Sequence, residues 1–206
     1  MRSLQLLLRT PALLSTFVAL IALAVYVATL APGLDFIDSG ELATVATTLG
    51  IAHPTGYPLW TLIAHLVARL PFPGAPIDRL NLMAAVLCAA GIGVFVRLML
   101  FILTRLDPKG TTGDEARYSA AGAGLLLAFS ETYWSQATAI EVYSLHVALV
   151  ISVLFAFLRA NATRARLHWH LFAFLLALAF TNHMTTILLA PGFLYYYFAE
   201  QGFGRE

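Results

Sequence analysis

Apolar runs separated by short polar stretches set the pattern of this chain. Leu13 to Leu30 is long enough to cross a bilayer core of about 30 Å, which takes roughly 20 helical residues. Pro11 suits the start of that helix and Pro32-Gly33 its end. A polar stretch follows, Asp35-Phe36-Ile37-Asp38-Ser39-Gly40-Glu41. Asp38 can cap a helix whose third residue is Glu41, an Asp-x-x-Glu form of the capping box. Leu42, Val45, Ala46 and Leu49 fall on one face of this helix, and Thr44, Thr47 and Thr48 on the other. The spacing predicts a short amphipathic helix along the membrane surface, ended by Gly50. His53-Pro54 and Tyr57-Pro58 predict extended backbone, because a residue before proline avoids the helical region.

Leu59 to Leu70 spans only about 18 Å as a helix, too short to cross, so it is expected to be re-entrant or interfacial. Pro71 to Pro76 is a turn, and Leu80 to Leu103 a full span with Arg97 snorkelling toward its far end. Arg105 to Arg117 is polar and predicts a loop. Tyr118 to Phe129 predicts a span emerging at Ser130 to Gln136, where Tyr133 and Trp134 suit an interface. Val142 to Leu158 returns, followed by Arg159, Arg164 and Arg166. Trp169 to Phe180 and Ile187 to Phe198 are two short helices broken at Thr181-Asn182-His183, with Tyr195 to Tyr197 as an interfacial belt.

Composition agrees with this pattern. Of 206 residues, 60% are hydrophobic and 11% charged, where a soluble domain is about a quarter charged. The expected class is an all-α polytopic membrane protein, a single domain over residues 1–206 with about six transmembrane helices. The juxtamembrane helices of its first outer loop lie at about 32–78. Arg2 and Arg9 precede the first apolar run as in a signal peptide, but its length and Pro32 favour an uncleaved helix. The single cysteine, Cys88, reads as a buried hydrophobe. No metal-finger spacing, phosphate loop or basic nucleic-acid patch is present, so nucleic acid is not an expected partner.

The placement of positive charge sets the orientation. With a cytoplasmic N-terminus and no crossing by Leu59 to Leu70, every Lys and Arg except Arg69 and Arg79 falls inside. One outer face then gathers Asp35, Asp38, Glu41, His53, Arg79, Glu131, Glu141, Asn182 and His183. Carboxylates with a few cations at that depth suit a substrate with a lipid-buried tail and a charged head, such as a polyprenyl-phosphate sugar. A carboxylate would act as general base on an incoming hydroxyl, and a cation would steady the departing phosphate.

Several motifs follow one another in order: Ala31-Pro-Gly33, Asp38-Ser-Gly-Glu-Leu42, Gly50-Ile-Ala-His-Pro-Thr-Gly-Tyr-Pro58, Arg79-Leu-Asn-Leu82, Trp134-Ser-Gln136 and Glu141-Val-Tyr143. With them the chain resembles the membrane family known as domain-of-unknown-function family 2723, related to protein O-mannosyltransferases within the GT-C glycosyltransferase superfamily. The resemblance covers nearly the whole chain. It implies a GT-C-like helical bundle that takes a sugar from a dolichyl- or polyprenyl-phosphate carrier. The acceptor would be a protein or glycan hydroxyl on the periplasmic, exoplasmic or lumenal face of a bacterial plasma membrane or the endoplasmic reticulum.

The resemblance also implies site roles. Asp38, with Glu41 beside it, stands where the superfamily has its catalytic acidic residue, and Glu141 where a second acidic residue binds substrate or metal. His53-Pro54 resembles the His-Pro-Pro of mannosyltransferases, with Thr55 in place of the second proline. Asn182-His183 lies where relatives approach the lipid phosphate, a histidine where a lysine is frequent. Tyr57 and Arg79 complete the expected substrate-binding set. The resemblance assigns no cofactor and leaves a divalent metal open. Relatives continue beyond the position of Glu206, so this is expected to be the N-terminal part of a longer module.

Plainer roles exist for the same residues. Asp38 and Glu41 serve as a helix cap, His53 as a turn residue, Arg79 as a snorkelling cation and Glu141 as a helix-dipole partner. Asn161-Ala-Thr163 forms a glycosylation sequon on the inner side, where it would go unused. A transporter or channel lined by these groups is the competing class, as is an inactive fragment. Transport needs polar groups deep within several spans, and these spans are nearly clean.

Overall fold

The computed structural model describes residues 10–35, 38–54, 56–106 and 113–202. Arg2, Arg9, Phe36, Ile37, Thr55, Lys109 and Arg205, which enter the reading above, lie outside them. The described residues form helices without strands. In order these are α1 (Pro11–Ala28), α2 (Ser39–Thr48), α3 (Pro58–Ala68), α4 (Pro76–Leu106), α5 (Gly113–Ala128), α6 (Glu131–Thr138), α7 (Tyr143–Thr163) and α8 (Arg166–Asn182). A 3-10 turn (Met184–Leu189) then leads into α9 (Ala190–Gln201). The helices α1, α4 and α7 are long and apolar enough to cross a membrane, and the protein belongs to the all-helical membrane class.

The hub is α4, which packs against α1, α5, α6 and α7. On α1 the buried residues Leu14, Val18, Ala22 and Tyr26 recur every fourth position, the stripe that helical geometry lays along one face. It meets Ala85, Ala89, Ile92 and Val96 of α4 and Ala120 and Ala128 of α5. Small side chains let these backbones approach closely, as membrane packing requires. A Cβ on Gly124 would overlap Val96 Cγ2, and one on Gly91 would lie 2.7 Å from the Tyr133 hydroxyl. Glycine at position 91 leaves that hydroxyl free to donate to Cys88 O at 2.8 Å, while Tyr26 donates to Ala128 O.

A second core joins the short helices to the bundle. Leu42, Val45 and Ala46 of α2 pack with Trp60, Ala64 and Ala68 of α3 against Leu80 and Met83 of α4 and Leu145, Leu149 and Val153 of α7. His65 hydrogen-bonds through Nδ1 to Ala46 O, tying α3 to α2. Trp60, fully buried, donates its indole N–H to Glu141 O. Around Phe157 of α7, Trp169, Phe172, Phe193 and Tyr196 form an aromatic cluster that docks α8 and α9.

Four local expectations are corrected. Asp38 occupies the N-cap position of α2 but makes no side-chain cap bond, its backbone being helical at φ −87° and ψ −4° rather than extended, and Glu41 turns to His53. Leu49 leaves the apolar stripe: it ends α2 in the left-handed region at φ 56° and is exposed. Tyr57 is also left-handed, at φ 45°, rather than extended, which turns its ring inward over the site. The expected loop gives way to α5 from Gly113, and Glu131 to Thr138 is helical. In both segments an acidic residue in the first turn favours the helix dipole.

Candidate functional site

Three backbone segments meet at the end of the bundle where α1 stops and α7 starts, and one buried side chain fastens them. Asn81 is fully buried on α4. Its amide donates to Ala31 O and Gly33 O, each at 3.0 Å, and its carbonyl accepts from Ile140 N–H at 2.8 Å. Ala31 N–H bonds Thr138 O, and the Trp134 indole reaches the Thr29 hydroxyl. The segment leading to Asp38 and the one carrying Glu141 are therefore held in fixed register. Here lies the reason for the Arg79-Leu-Asn-Leu82 motif.

Within this frame Glu41 organises the acidic loop. One carboxylate oxygen accepts His53 N–H at 2.7 Å, and the other faces His53 Nδ1 at 3.0 Å. These two bonds hold the Glu41 carboxyl below its ordinary value, the backbone bond contributing most. A carboxylate acceptor at Nδ1 places the His53 proton there, so Nε2 accepts from the Tyr57 hydroxyl at 3.0 Å. Burial, followed by the charges around it, raises the Tyr57 phenol, which suits this donor role. The left-handed Tyr57, preceded by Gly56 at φ 93°, is backbone strain of the kind that persists where the surroundings enforce it.

The chain of contacts continues across the site. The Tyr57 ring stacks on His183, with centroids 5.3 Å apart. His183 Nδ1 accepts from Thr185 N–H, which leaves the ring proton on Nε2. Burial lowers the His183 pKa, keeping the ring neutral near pH 7. Tyr143 and His146 pack against His183 at 5.6 and 4.7 Å, and the Thr185 hydroxyl joins His146 Nε2 to His183 Nδ1. Opposite, Glu141 is half-buried, and its carboxyl is raised by burial first and the Asp38 charge second, with His53 and Asp35 also acting on it. Asp38, Glu41, His53, Tyr57, Glu141 and His183 thus belong to one site.

Two expected residues stand apart. The Arg79 guanidinium donates to Ala68 O, Phe72 O and Gly74 O, capping the end of α3 and the turn after it. Asn182 is 1% exposed, and its amide has no hydrogen-bond partner among the described residues. Conversely, Tyr143, His146 and Thr185 contact His183 and are not among the expected site residues. Tyr143 and His146 share a face of α7 by i,i+3 spacing, a signal that takes on meaning only once position 183 is known to pack there.

Asp38, Glu41 and His53 bring ligand atoms within 4.8 Å of one another. Two carboxylates and an imidazole suit a divalent cation. A cation held through His53 Nδ1 would have to displace the proton that Glu41 accepts there.

Fold and site define an all-helical membrane protein with carboxylates, tied to a histidine–tyrosine chain, gathered at one end of its bundle. The chain belongs to the protein O-mannosyl-transferase TMEM260 N-terminal domain family, which matches residues 38–203. The Mus musculus protein O-mannosyl-transferase TMEM260 is 38% identical over 147 residues, covering 69% of this chain and 19% of that protein. The Dictyostelium discoideum protein O-mannosyl-transferase tmem260 is 24% identical over 190 residues, covering 84% of this chain and 22% of that protein. The chain spans about a fifth of the length of these curated relatives. No solved structure matches it.

Proposed function

We propose that this chain carries the catalytic loop of a membrane glycosyltransferase of GT-C type. It would move a sugar, mannose by analogy with the names of its relatives, from a polyprenyl- or dolichyl-phosphate carrier to an acceptor hydroxyl. The observation that carries this reading is the Glu41–His53–Tyr57 hydrogen-bond chain, anchored beside the Asp38 and Glu141 carboxylates. A hydroxyl attacking C1 of the sugar must lose a proton, and Asp38 takes it. The C1–O bond to phosphate breaks with inversion at C1, and the pair of electrons leaves with the polyprenyl phosphate. His183 Nε2–H is the donor available to that phosphate, as a neutral hydrogen bond rather than a point charge.

Glu41 and His53 act as positioning residues that hold the helix beginning at Ser39. Tyr57 joins them to His183. Glu141, its carboxyl raised by burial, can accept from or donate to a sugar hydroxyl. A divalent cation on Asp38, Glu41 and His53 would supply Lewis-acid stabilisation of the phosphate. In the orientation we assign, the N-terminus is cytoplasmic, α1, α4, α5, α7 and α8 cross, the 3-10 turn and α9 together make the sixth crossing, and α2 and α3 lie on the outer face. Support comes from the charge placement and from the burial of α2 and α3 against the bundle end.

Donor dependence tests the reading. Membranes containing the full-length protein receive either mannosyl-phosphoryl-polyprenol or a nucleotide mannose, each radiolabelled, with endogenous carrier lipid extracted. Transfer from the lipid-linked donor alone is expected. Equal transfer from the nucleotide sugar would overturn the proposed donor.

A further inference from the structure

The bundle end remote from Asp38 holds a separate cavity of about 370 Å³. It forms where α1 and α5 begin and where α4 and α7 near their ends. At about 1.5 Å per residue, Arg97 lies about 24 Å along α4 from Asn81. Arg159 lies about 20 Å along α7 from His146 by the same rise. No residue of the Asp38 site lines this cavity.

Arg97, Arg117 and Arg159 line it, with Phe101 and Phe155 as apolar walls. The two phenyl rings meet edge to face at 5.8 Å. Arg117 is paired with Asp114, and Arg159 lies 5.8 Å over the Phe155 ring. Among the described residues Arg97 has neither an ion pair nor a hydrogen bond, although it stands within an apolar helix long enough to span. A charge so placed is costly and usually serves a ligand or a partner. Positive charge at inner helix ends is common, but that rule does not bring three arginines from three helices onto one cavity.

We propose that this cavity binds the phosphate headgroup of an anionic bilayer lipid. The planar guanidinium fork matches phosphate oxygens in pairs. Two of the three arginines are without a carboxylate partner among the described residues, so the site carries net positive charge. The phenyl walls suit the glycerol and first acyl carbons of a lipid, and a free inorganic phosphate would gain nothing from them. This inference stands whether or not the outer site transfers sugar.

The test is native mass spectrometry of the purified chain in detergent, with equal phosphatidylglycerol and phosphatidylcholine as probes and inorganic phosphate as competitor. Wild type is expected to retain phosphatidylglycerol in about tenfold preference, because the choline cation of phosphatidylcholine would be repelled by the arginines while both lipids offer the same phosphate oxygens. Arg97→Gln with Arg159→Gln should abolish that preference. Arg166→Gln, exposed on α8 outside the cavity, should leave it intact, and inorganic phosphate should not displace the lipid. If the double variant does not insert, Arg97→Met alone carries the same reading with a several-fold loss. Equal retention of the two lipids, an unchanged double variant, an equal loss in Arg166→Gln, or displacement by inorganic phosphate would each overturn the proposal.

Discussion

The Glu41 carboxylate ties two stretches of backbone together. Both its oxygens are engaged by His53, so the acidic loop is folded onto the His-Pro turn. The lowered Glu41 pKa means that this tie contributes stability above the ordinary carboxyl value of 4.5 and loses it as pH falls through the lower folded value. Protection of the His53 amide from hydrogen exchange, taken relative to an unstructured amide at the same pH, should therefore hold at pH 5 and fall on acidification below 4.5. In Glu41→Gln that protection should be lower throughout and change little with acid. Wild-type protection that stays constant across the acid range would remove Glu41 as the anchor. Tyr57→Phe deletes one hydroxyl while keeping the stack on His183. Its predicted transfer rate is about 3–10-fold below wild type, the value of one hydrogen bond to a polar partner.

The sequence led directly to Asp38, Glu41, His53, Glu141 and His183 because polar residues at the border of apolar runs are conspicuous. Arg79 was equally conspicuous, but its donors are taken up by carbonyls of a turn, and no spacing rule reports that. His146 and Thr185 escaped because 39 residues separate the partners of their hydrogen bond.

At the scale of elements, close helix approach is the stabilising device. Gly124 faces Val96 across the α4–α5 contact, whereas a Cβ at Gly122 meets nothing within 4 Å. Gly124→Val should destabilise by about 1–3 kcal/mol through overpacking, and Gly122→Val should stay within about 0.5 kcal/mol. Thermal unfolding of the purified protein in detergent reads both, and similar melting of the two variants would show that the α4–α5 contact yields. Asn81→Ala leaves Ile140 N–H and two carbonyls without partners and should cost about 3 kcal/mol. Transfer should fall with it, since the same side chain fixes the segments leading to Asp38 and Glu141. Helix existence was legible from the apolar runs, and Pro11 marks a first turn as expected, whereas Pro58, read as part of an extended stretch, opens α3. Boundaries were less so: α5 and α6 extend into polar sequence, where dipole-favourable acidic residues outweigh the lack of apolar periodicity.

For the whole molecule, the two ends of the bundle differ in charge. Asp38, Glu41 and Glu141 lie with His53, Tyr57 and His183 at one end, and Arg97, Arg117 and Arg159 at the other. In the assigned orientation, Glu131→Cys should react with a membrane-impermeant maleimide on intact cells or sealed lumen-out vesicles. Arg166→Cys should react only after permeabilisation, and buried Cys88 should give no background. The reverse pattern would invert the topology and place the carboxylate site inside. That the chain is a membrane protein was legible from composition, and that it is helical from the lengths of its apolar runs. The packing of α2 and α3 into the bundle was not, because a short amphipathic helix reads the same on a membrane as on a protein.

The central claim is that Asp38 takes the acceptor proton, and its most direct test is the transfer rate of Asp38→Asn in the full-length protein with lipid-linked mannose as donor. The amide keeps size and polarity but cannot accept the proton, so the rate should fall about a thousandfold, as for loss of a general base, with membrane insertion unchanged. A rate within threefold of wild type would contradict the account and move the base to another carboxylate.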